Sequence, residues 1–372
     1  ISACLVGSEM CIRDRYNIFF PVDMFENDAD KNEALEQLAF QLMPLETNMT
    51  DTSVFFLTEG RKILTAAMIT YYHQGMDFPQ ICKRIISSSW STLFSEIDQN
   101  GNYEAKQYIN SFEGTNEKNI AGCKQACDSA LKLFATNSHV YNAIGREREG
   151  KEAFTPEQLE NKNIFVVIQD SKLELYEPLV HIITAQCMEY FSNRDNNNQH
   201  TILMCLDEFA SFGHLEITPA LRKLRKKHVR IMVLTQSLAD IDLIYGRDER
   251  MAMLNNFAYK IVLGCSDSDT QEYFSRLIGE KEVYRKAVSK NGKQVTNTRT
   301  EAKERIVPPA ELARLGRHMI LLAEGKYYKL TKNYYFELDL WDRVKKCINN
   351  LSRIQEEDFS EKNTLSLTDE NK

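Results

Sequence analysis

The first half of the chain repeats its apolar residues at the spacing of α-helices. One apolar stripe, which begins after Lys31 and is ended by Pro44, consists of Ala34, Leu35, Leu38, Ala39, Leu42 and Met43. A stripe of this kind is typical of a helix that buries one face. The same pattern predicts further helices over residues 52–74, 78–96, 102–112 and 118–136. No segment in this half alternates for long as a strand does, so residues 25–150 are predicted to form an all-α domain.

The pattern changes after Pro156, where short apolar runs alternate with helical segments. Predicted strands cover residues 164–168, 202–206, 230–235, 259–264, 319–323 and 327–330. Predicted helices cover residues 177–193, 217–227 and 267–278. The first of these helices has Pro178 in its first turn, and the unbroken apolar run 202–206 is typical of a strand buried on both faces. Strands that alternate with helices predict an α/β domain with a mostly parallel sheet over residues 151–340.

The two ends of the chain are treated separately. Residues 1–15 have no clear helix or strand period and resemble a translated sequencing adaptor, so we set them aside as an artefact. Residues 16–24 are predicted to be an extended segment that belongs to the α/β domain. Residues 341–372 form a polar, acidic tail.

Composition excludes several classes of protein. The net charge of −7 argues against a protein that binds polyanions over its whole surface. The nine cysteines are scattered without a C-x-x-C pair, which indicates reduced thiols in a cytosolic protein. No stretch reaches the roughly 20 apolar residues of a membrane helix. The histidines lack a metal-binding grouping, so no metal site made of protein ligands alone is predicted.

Polar side chains follow two successive strands of the predicted sheet. Asp207 and Glu208 come directly after the run 202–206, and Gln236 follows the next strand. Ligands of α/β sheets bind outside the carboxyl ends of the strands. The set matches a P-loop ATPase of the RecA type. In such an ATPase the Asp orders the magnesium shell, the Glu polarises the attacking water, and the polar residue senses the γ-phosphate. The alternative is a strand-ending turn with solvated acids.

A basic segment lies between the same two strands. Residues 221–230 read LRKLRKKHVR, and Arg222, Arg225, Lys226 and Lys227 lie away from the apolar stripe of the predicted helix. In ring ATPases such a cation is often presented to the nucleotide of the next subunit. The alternative is a solvated helix face.

The motifs together resemble a known family. LDEFASFG, LTQSLADIDLIYG and LNNFAYKIVLGCSDSDTQEYFSRLIG are similar, in order and spacing, to the type IV secretion coupling proteins, the TraG/TraD-type conjugative DNA-transfer ATPases. Upstream, YNIFFPVDMF and SVFFLTEGRKILTAAMITYY resemble the start of the inserted all-α domain of that family, so the likeness covers most of residues 16–337. By this resemblance Asp207 and Glu208 are the Walker B acids and Gln236 the sensor glutamine. Arg225 falls near the arginine finger, with Arg222 and Arg230 as rivals.

The resemblance implies a fold and an activity. The fold is a RecA-like P-loop NTPase core, incomplete here, with an inserted all-α domain. The implied activity is ATP hydrolysis that drives delivery of DNA with its attached relaxase, or of effector proteins, to the secretion channel, with ATP and Mg²⁺ as cofactors. The implied assembly is a homo-hexamer at the cytoplasmic face of the bacterial inner membrane. Its partners are DNA bound without sequence preference, relaxase or relaxosome and effector proteins, and the ATPases of the type IV secretion channel. The alternatives are another P-loop DNA translocase and a catalytically silent cargo-recognition module.

Two further segments resemble ligand-binding motifs but lack a residue that the motif needs, and we call them imitations. Gly145–Glu152, GREREGKE, has the glycine spacing of a Walker A loop, but it ends in an acid that repels phosphate and follows a predicted helix. The phosphate loop is therefore expected upstream of Tyr16, and this chain alone is expected to bind ATP poorly. Glu96–Gln107 imitates an EF-hand loop without its final bidentate Glu, so a helix–helix turn is predicted there.

Overall fold

A computed structural model defines the fold of most of the chain. It describes residues 4–5, 15–45, 49–146, 153–161, 165–166, 168, 170–195, 200–291, 294–337, 341–343 and 345–346. The chain folds as two units, Ile1–Phe257 and Ala258–Lys372. Most of the predicted acidic tail, and residues 147–152 of the Walker A imitation, lie outside the described residues. Of the segment that we set aside, the structure describes Cys4–Leu5 and Arg15.

The first unit begins with a series of helices. Their bounds are α1 Phe20–Asp23, α2 Asp28–Leu42, α3 Asp51–His73, α4 Phe78–Ser87, α5 Trp90–Asn100, α6 Tyr103–Asn110, α7 Glu117–Thr136 and α8 Ser138–Ala143. All described secondary structure between Asp28 and Ala143 is helical, as the apolar spacing of this segment predicts. The core of α3 is buried from Ile63 to Tyr71, because its long apolar stripe packs on α2, α6 and α7.

Two local expectations are wrong in this region, and one helix was not predicted. The segment predicted as extended contains the helical turn α1, which Pro21 favours because its ring fixes a helical φ near the first position. The predicted helix 78–96 is two helices, since Ser88 is extended and the side chain of Ser89 accepts a hydrogen bond from the Thr92 amide at 3.1 Å. Helix α8 was not predicted. The EF-hand imitation is the helix–helix turn expected, with Asn102 capping α6.

The first unit also contains short parallel strands and three further helices. The strands are β1 Cys4–Leu5, β2 Arg15–Tyr16, β3 Ala153–Phe154, β4 Phe165–Val166, β5 Ile202–Leu206 and β6 Val229–Val233. The pairs β1–β4, β2–β3 and β5–β6 are all parallel. The helices are α9 Leu173–Ser192, α10 Ile217–Leu224 and α11 Leu238–Asn256. Helix α9 begins earlier than predicted, so Pro178 lies inside it and not in its first turn.

Strand β5 differs from its predicted burial. Its end residue Leu206 is 4% exposed, but Leu203 is 59% exposed, and on β6 Met232 is 43% exposed. A parallel strand is buried on both faces only where helices cover both faces of its sheet. Among the described residues, therefore, the β5–β6 sheet is covered on one face.

The second unit contains antiparallel strands. Its elements are β7 Tyr259–Val262, α12 Ser268–Ile278, β8 Glu280–Asn291, β9 Gln294–Arg305, α13 Pro309–Leu312, β10 His318–Ala323 and β11 Lys326–Thr331. Asp267 caps α12, which lies within the predicted helix 267–278, by accepting a hydrogen bond from the Thr270 amide at 2.7 Å. Strand β10 pairs antiparallel with both β7 and β11. Parallel pairing is thus confirmed in the first unit, where the described strands form three separate two-stranded sheets. The prediction that residues 259–264, 319–323 and 327–330 belong to a mostly parallel sheet is wrong, because β7, β10 and β11 form a separate antiparallel sheet.

Candidate functional site

The register of β5 and β6 brings the predicted acids and the predicted amide to one edge of the sheet. Leu206 pairs with Val233 at the end of the two strands. Backbone pairing continues beyond them, because the Leu234 amide donates to Leu206 O at 3.0 Å and the Phe209 amide donates to Leu234 O at 2.9 Å. The residues that follow each strand therefore lie side by side.

Glu208 and Gln236 are in direct contact at this edge. The Nε2 of Gln236 donates a hydrogen bond to Oε2 of Glu208 at 3.0 Å. Oδ1 of Asp207 accepts a hydrogen bond from the Glu208 amide at 3.1 Å. Asp207 and Gln236 are exposed and Glu208 is half-buried, so the group opens to solvent. The structure thus brings together the acid pair and the amide that the sequence pattern singles out.

Glu208 adopts a backbone conformation that is costly for its residue type. Its φ is +52° and its ψ is 56°, in the left-handed region. Residues other than glycine pay on the order of 1 kcal/mol or more there. The turn sends the chain from β5 into the 3-10 turn Phe209–Phe212. As a result the carboxylate of Glu208 faces Gln236 instead of continuing the alternation of the strand.

A buried tyrosine holds the loop after Glu208 in place. The ring of Tyr245, on α11, stacks on Phe209 with 5.4 Å between centroids. Its hydroxyl donates to Gly213 O at 3.2 Å and accepts from the Leu215 amide at 3.1 Å. Sequence analysis did not assign a role to Tyr245, although it lies in the quoted segment LTQSLADIDLIYG. The signal available was a single aromatic residue on an otherwise ordinary helix.

Gln236 is fixed by the start of α11. Ser237 and Asp240 form a capping box, in which the Asp240 amide donates to Ser237 Oγ at 3.2 Å and the Ser237 amide donates to Asp240 Oδ2 at 3.1 Å. Thr235 Oγ1 donates to Ser237 O at 3.0 Å. The residues on both sides of Gln236 are therefore hydrogen-bonded, which places its amide beside Glu208.

The candidate arginine fingers lie at the other edge of the same sheet. Arg225 begins the 3-10 turn Arg225–Lys227, just before β6, and Arg230 pairs with Leu203 near the start of β5. At about 3.3 Å per residue, Arg230 is roughly 16 Å along the strands from Glu208. Arg230 Nη1 donates to Arg225 O at 3.1 Å, while Arg222 Nε lies 3.5 Å from Asn256 Oδ1. The structure therefore does not bring Arg225 to the acids of its own chain.

The start of the Walker A imitation is engaged in other contacts. The Gly145 amide donates to Tyr16 O at 2.8 Å, and the Arg146 amide donates to Asp77 Oδ2 at 3.2 Å. Gly145 has a φ of +121°, and a Cβ there would clash with Asp77 Oδ2. These two amides are bonded within the protein and do not point at a phosphate. The structure supports the expectation that this motif is an imitation.

A magnesium ion at the candidate site would be held by the single carboxylate of Asp207. Within the described ranges, no group of three or more His, Cys, Asp or Glu side chains could hold a metal ion. Mg²⁺ that accompanies a nucleotide needs fewer protein ligands, since it keeps several waters and is held by one or two carboxylates plus phosphates. The exposed carboxylate of Asp207 fits that donor set.

The fold, with Asp207, Glu208 and Gln236 at the carboxyl ends of β5 and β6, is that of an α/β protein of the RecA-like class with an all-α part. Solved structures share this fold. The plasmid coupling protein TrwB in complex with the ATP analogue ADPNP matches with a TM-score of 0.68 and 20% identity, over 90% of this chain and 75% of that chain. TrwB in complex with ADP and Mg²⁺ matches with a TM-score of 0.65 and 19% identity, over 91% and 76%.

Sequence comparison gives the family. The family model described as "Type IV secretory system Conjugative DNA transfer" matches residues 8–362. The chain therefore belongs to the conjugative DNA-transfer coupling proteins of type IV secretion systems. Protein VirD4 of Agrobacterium fabrum is 23% identical over 195 residues, which is 50% of this chain and 28% of VirD4. The match thus spans little more than a quarter of the length of this curated relative.

In the part of the chain that the structure describes, no helix combines the length and the apolar character that crossing a bilayer requires.

Proposed function

We propose that this chain is the motor and cargo-recognition part of a coupling ATPase. The observation that carries the proposal is the 3.0 Å hydrogen bond between Gln236 and Glu208 at the carboxyl ends of β5 and β6. An acid that polarises water and an amide that senses the γ-phosphate must lie within one site. TrwB, which shares the fold, has been solved with an ATP analogue and with ADP and Mg²⁺, and this supports a nucleotide as the ligand.

Each side chain of the site has a distinct proposed role. Asp207, at the exposed strand end, holds the water shell of Mg²⁺, and the ion, when bound, offsets the negative charge of the phosphates. Glu208 orients and polarises the water that attacks the γ-phosphate. Gln236 reports the state of the phosphate to Glu208 through their hydrogen bond. Arg225 acts on the nucleotide of the neighbouring subunit, because its position excludes a role in its own.

The whole protein is proposed to work as a hexameric ring. It delivers DNA with its attached relaxase, or effector proteins, to the secretion channel and its ATPases at the cytoplasmic face of the inner membrane. The helices α2–α8 are proposed to recognise this cargo. The 372-residue chain alone is proposed to bind ATP weakly, since the amides of Gly145 and Arg146, the first two of its Walker A imitation, are bonded within the protein.

The test is the substitution Glu208→Gln in the full-length gene product. Loss of a general base lowers turnover by about 10²–10⁴-fold, so magnesium-dependent, DNA-stimulated ATP hydrolysis should nearly vanish. Binding of a fluorescent ATP analogue should be unchanged, because the amide keeps the shape of the side chain. Glu216→Gln is the matched control, as Glu216 is exposed eight residues further along. Unchanged hydrolysis, or an equal loss in the control, would end the assignment in favour of a catalytically silent module.

A further inference from the structure

The longest strands of the protein form a ribbon that sequence analysis did not predict. Strands β8 and β9 have 12 residues each and pair antiparallel from Glu280 opposite Arg305 to Asn291 opposite Gln294. At about 3.4 Å per residue the ribbon is roughly 40 Å long. We refer to the strands β8 and β9, residues 280–291 and 294–305, as the ribbon and to residues 285–291 and 294–300 as its distal half.

The base of the ribbon is attached to α12. Arg305 Nη2 contacts Glu272 Oε1 at 3.0 Å, and its Nη1 contacts Glu280 Oε1 at 3.3 Å. The Ile306 amide donates to Gly279 O at 3.1 Å. These contacts fix the two chain ends of the ribbon within its own unit, so the base is a defined support.

The charge of the ribbon changes along its length. Near the base the signs alternate: Lys281 pairs with Glu304, and Glu282 pairs with Lys303. The distal half contains no Asp or Glu, and its cations are Arg285, Lys286, Lys290 and Arg299. Arg285 is ion-paired with Glu304, with Nη2 and Oε1 2.7 Å apart, so the group of cations consists of the other three. The chain as a whole has a net charge of −7, so this acid-free segment differs from the rest of the protein.

The register groups these cations instead of dispersing them. Lys286 is directly opposite Arg299, and Lys290 is directly opposite Val295. Alternate pairs of an antiparallel ribbon share a face, so positions 286, 290 and 299 belong to one face. Like charges directly opposite each other destabilise a strand pair. Solubility alone would be provided equally well by a mixture of acidic and basic side chains, as at the base of the ribbon. The grouping of cations without acids therefore indicates an anionic partner.

We infer that the distal half of the ribbon binds the phosphate backbone of duplex DNA. The inference rests on the proposed function, which makes DNA a substrate. The distal half contains no aromatic residue, so it lacks the stacking platform that single-stranded nucleic acid requires. It does contain Ser, Thr, Asn and Gln, which together with Lys and Arg are the usual donors to phosphate oxygens. A two-stranded ribbon also fits the major groove, which is about 12 Å wide.

The experiment measures DNA affinity by fluorescence anisotropy of the 372-residue chain, without nucleotide, on a labelled duplex at several salt concentrations. The triple variant Lys286→Gln, Lys290→Gln and Arg299→Gln should bind at least about tenfold more weakly near 0.1 M salt. The slope of log affinity against log salt should fall by about 2 to 3, since each phosphate contact contributes about 0.9. The matched control changes Lys281, Lys303 and Lys326 to Gln, which removes the same charge from exposed lysines outside the distal half.

The outcomes separate this inference from the proposed function. Equal loss in the triple variant and the control would mean a general charge effect and would overturn the site. A triple variant that loses binding to single-stranded DNA as much as to duplex DNA would also overturn the inference. So would a triple variant that loses binding to anionic vesicles but still binds DNA as the parent chain does. Because the binding assay needs no ATP, its result is independent of hydrolysis. Ribbon-dependent DNA binding, together with a full-length protein that never hydrolyses ATP, would contradict the motor and leave this inference standing.

Discussion

The conformation of Glu208 shows what a local pattern can and cannot predict at the scale of a residue. An apolar run followed by two acids and, one strand later, by Gln236 was enough to predict which side chains meet. The left-handed backbone of Glu208, with φ +52°, has no signal in the sequence, because Gly, Asn and Asp are the residues that usually adopt it. The left-handed turn accompanies the packing of Phe209 against Tyr245 in the core. The two residues are far apart in sequence, so this contact cannot be inferred from the neighbours of Glu208.

Replacing Tyr245 by Phe should loosen the loop that carries Glu208. The change keeps the ring stacked on Phe209 but removes the hydroxyl that Gly213 O and the Leu215 amide share. Leu215 is 1% exposed, and an amide left without its acceptor in the interior costs about 1–3 kcal/mol. We expect faster hydrogen exchange of the Leu215 amide and a lower urea midpoint with an unchanged m-value.

The control for this prediction is Tyr103→Phe. Tyr103 is 76% exposed, so loss of its hydroxyl should change neither the exchange rate nor the midpoint. If the two variants unfold at the same urea concentration, Tyr245 acts through its ring alone and the hydroxyl does not position the loop.

At the scale of elements, one carboxylate joins α1, α3 and the segment after α8. Asp23 Oδ1 accepts hydrogen bonds from Tyr72 at 2.7 Å and Arg146 at 2.6 Å, and Oδ2 accepts one from Asn17 at 2.9 Å. Burial alone would raise the pKa of Asp23, but the hydrogen bonds from Arg146, Asn17 and Tyr72 outweigh it and lower the pKa. The folded protein therefore binds fewer protons at this site than the unfolded chain.

The lowered pKa of Asp23 predicts a stability change in acid. Its contribution is fully present above about pH 5 and is lost as the pH falls through the folded-state pKa, below the ordinary value near 3.9. The free energy of unfolding of Asp23→Asn should therefore lie below that of the parent protein by a constant amount above pH 5, and the difference should shrink in acid. Urea titrations from pH 7 to pH 2.5 measure it. The exposed Asp98→Asn serves as control; a difference that does not change with pH would contradict the assignment.

The elements themselves were predictable where apolar residues repeat and unpredictable where they do not. The stripes of α2, α3 and α7 mark their helices within a few residues. The division between α4 and α5 depends on Ser88 and Ser89. Two serines are a weaker sequence signal than the apolar spacing, which continues through them, so one helix was predicted. The ribbon β8–β9 was missed because its alternation involves charged and polar residues, so hydrophobic spacing is silent there. Its Asn291-Gly292 pair was the available signal, since this dipeptide favours a hairpin turn.

At the scale of the whole molecule, the separation of Arg225 from Glu208 bears on assembly. Arg225 precedes the start of β6 and Glu208 follows the end of β5, so the paired length of the two parallel strands lies between them. The structure therefore keeps Arg225 away from the acids of its own chain. If Arg225 takes part in hydrolysis, it must do so on the nucleotide of another subunit, and a ring with a repeating head-to-tail interface provides that contact.

Mixing two inactive variants of the full-length protein tests this arrangement. Glu208→Gln and Arg225→Gln should each abolish hydrolysis alone. In randomly mixed rings about one interface in four joins an intact Glu208 to an intact Arg225 of the neighbour, so about a quarter of the activity should return. Glu208→Gln mixed with Gln236→Ala is the control, because these side chains are hydrogen-bonded within one chain, and no subunit in that mixture carries both. Recovery in the control, or none with Arg225→Gln, would contradict action between subunits, and Arg222 and Arg230 can be tested in the same way.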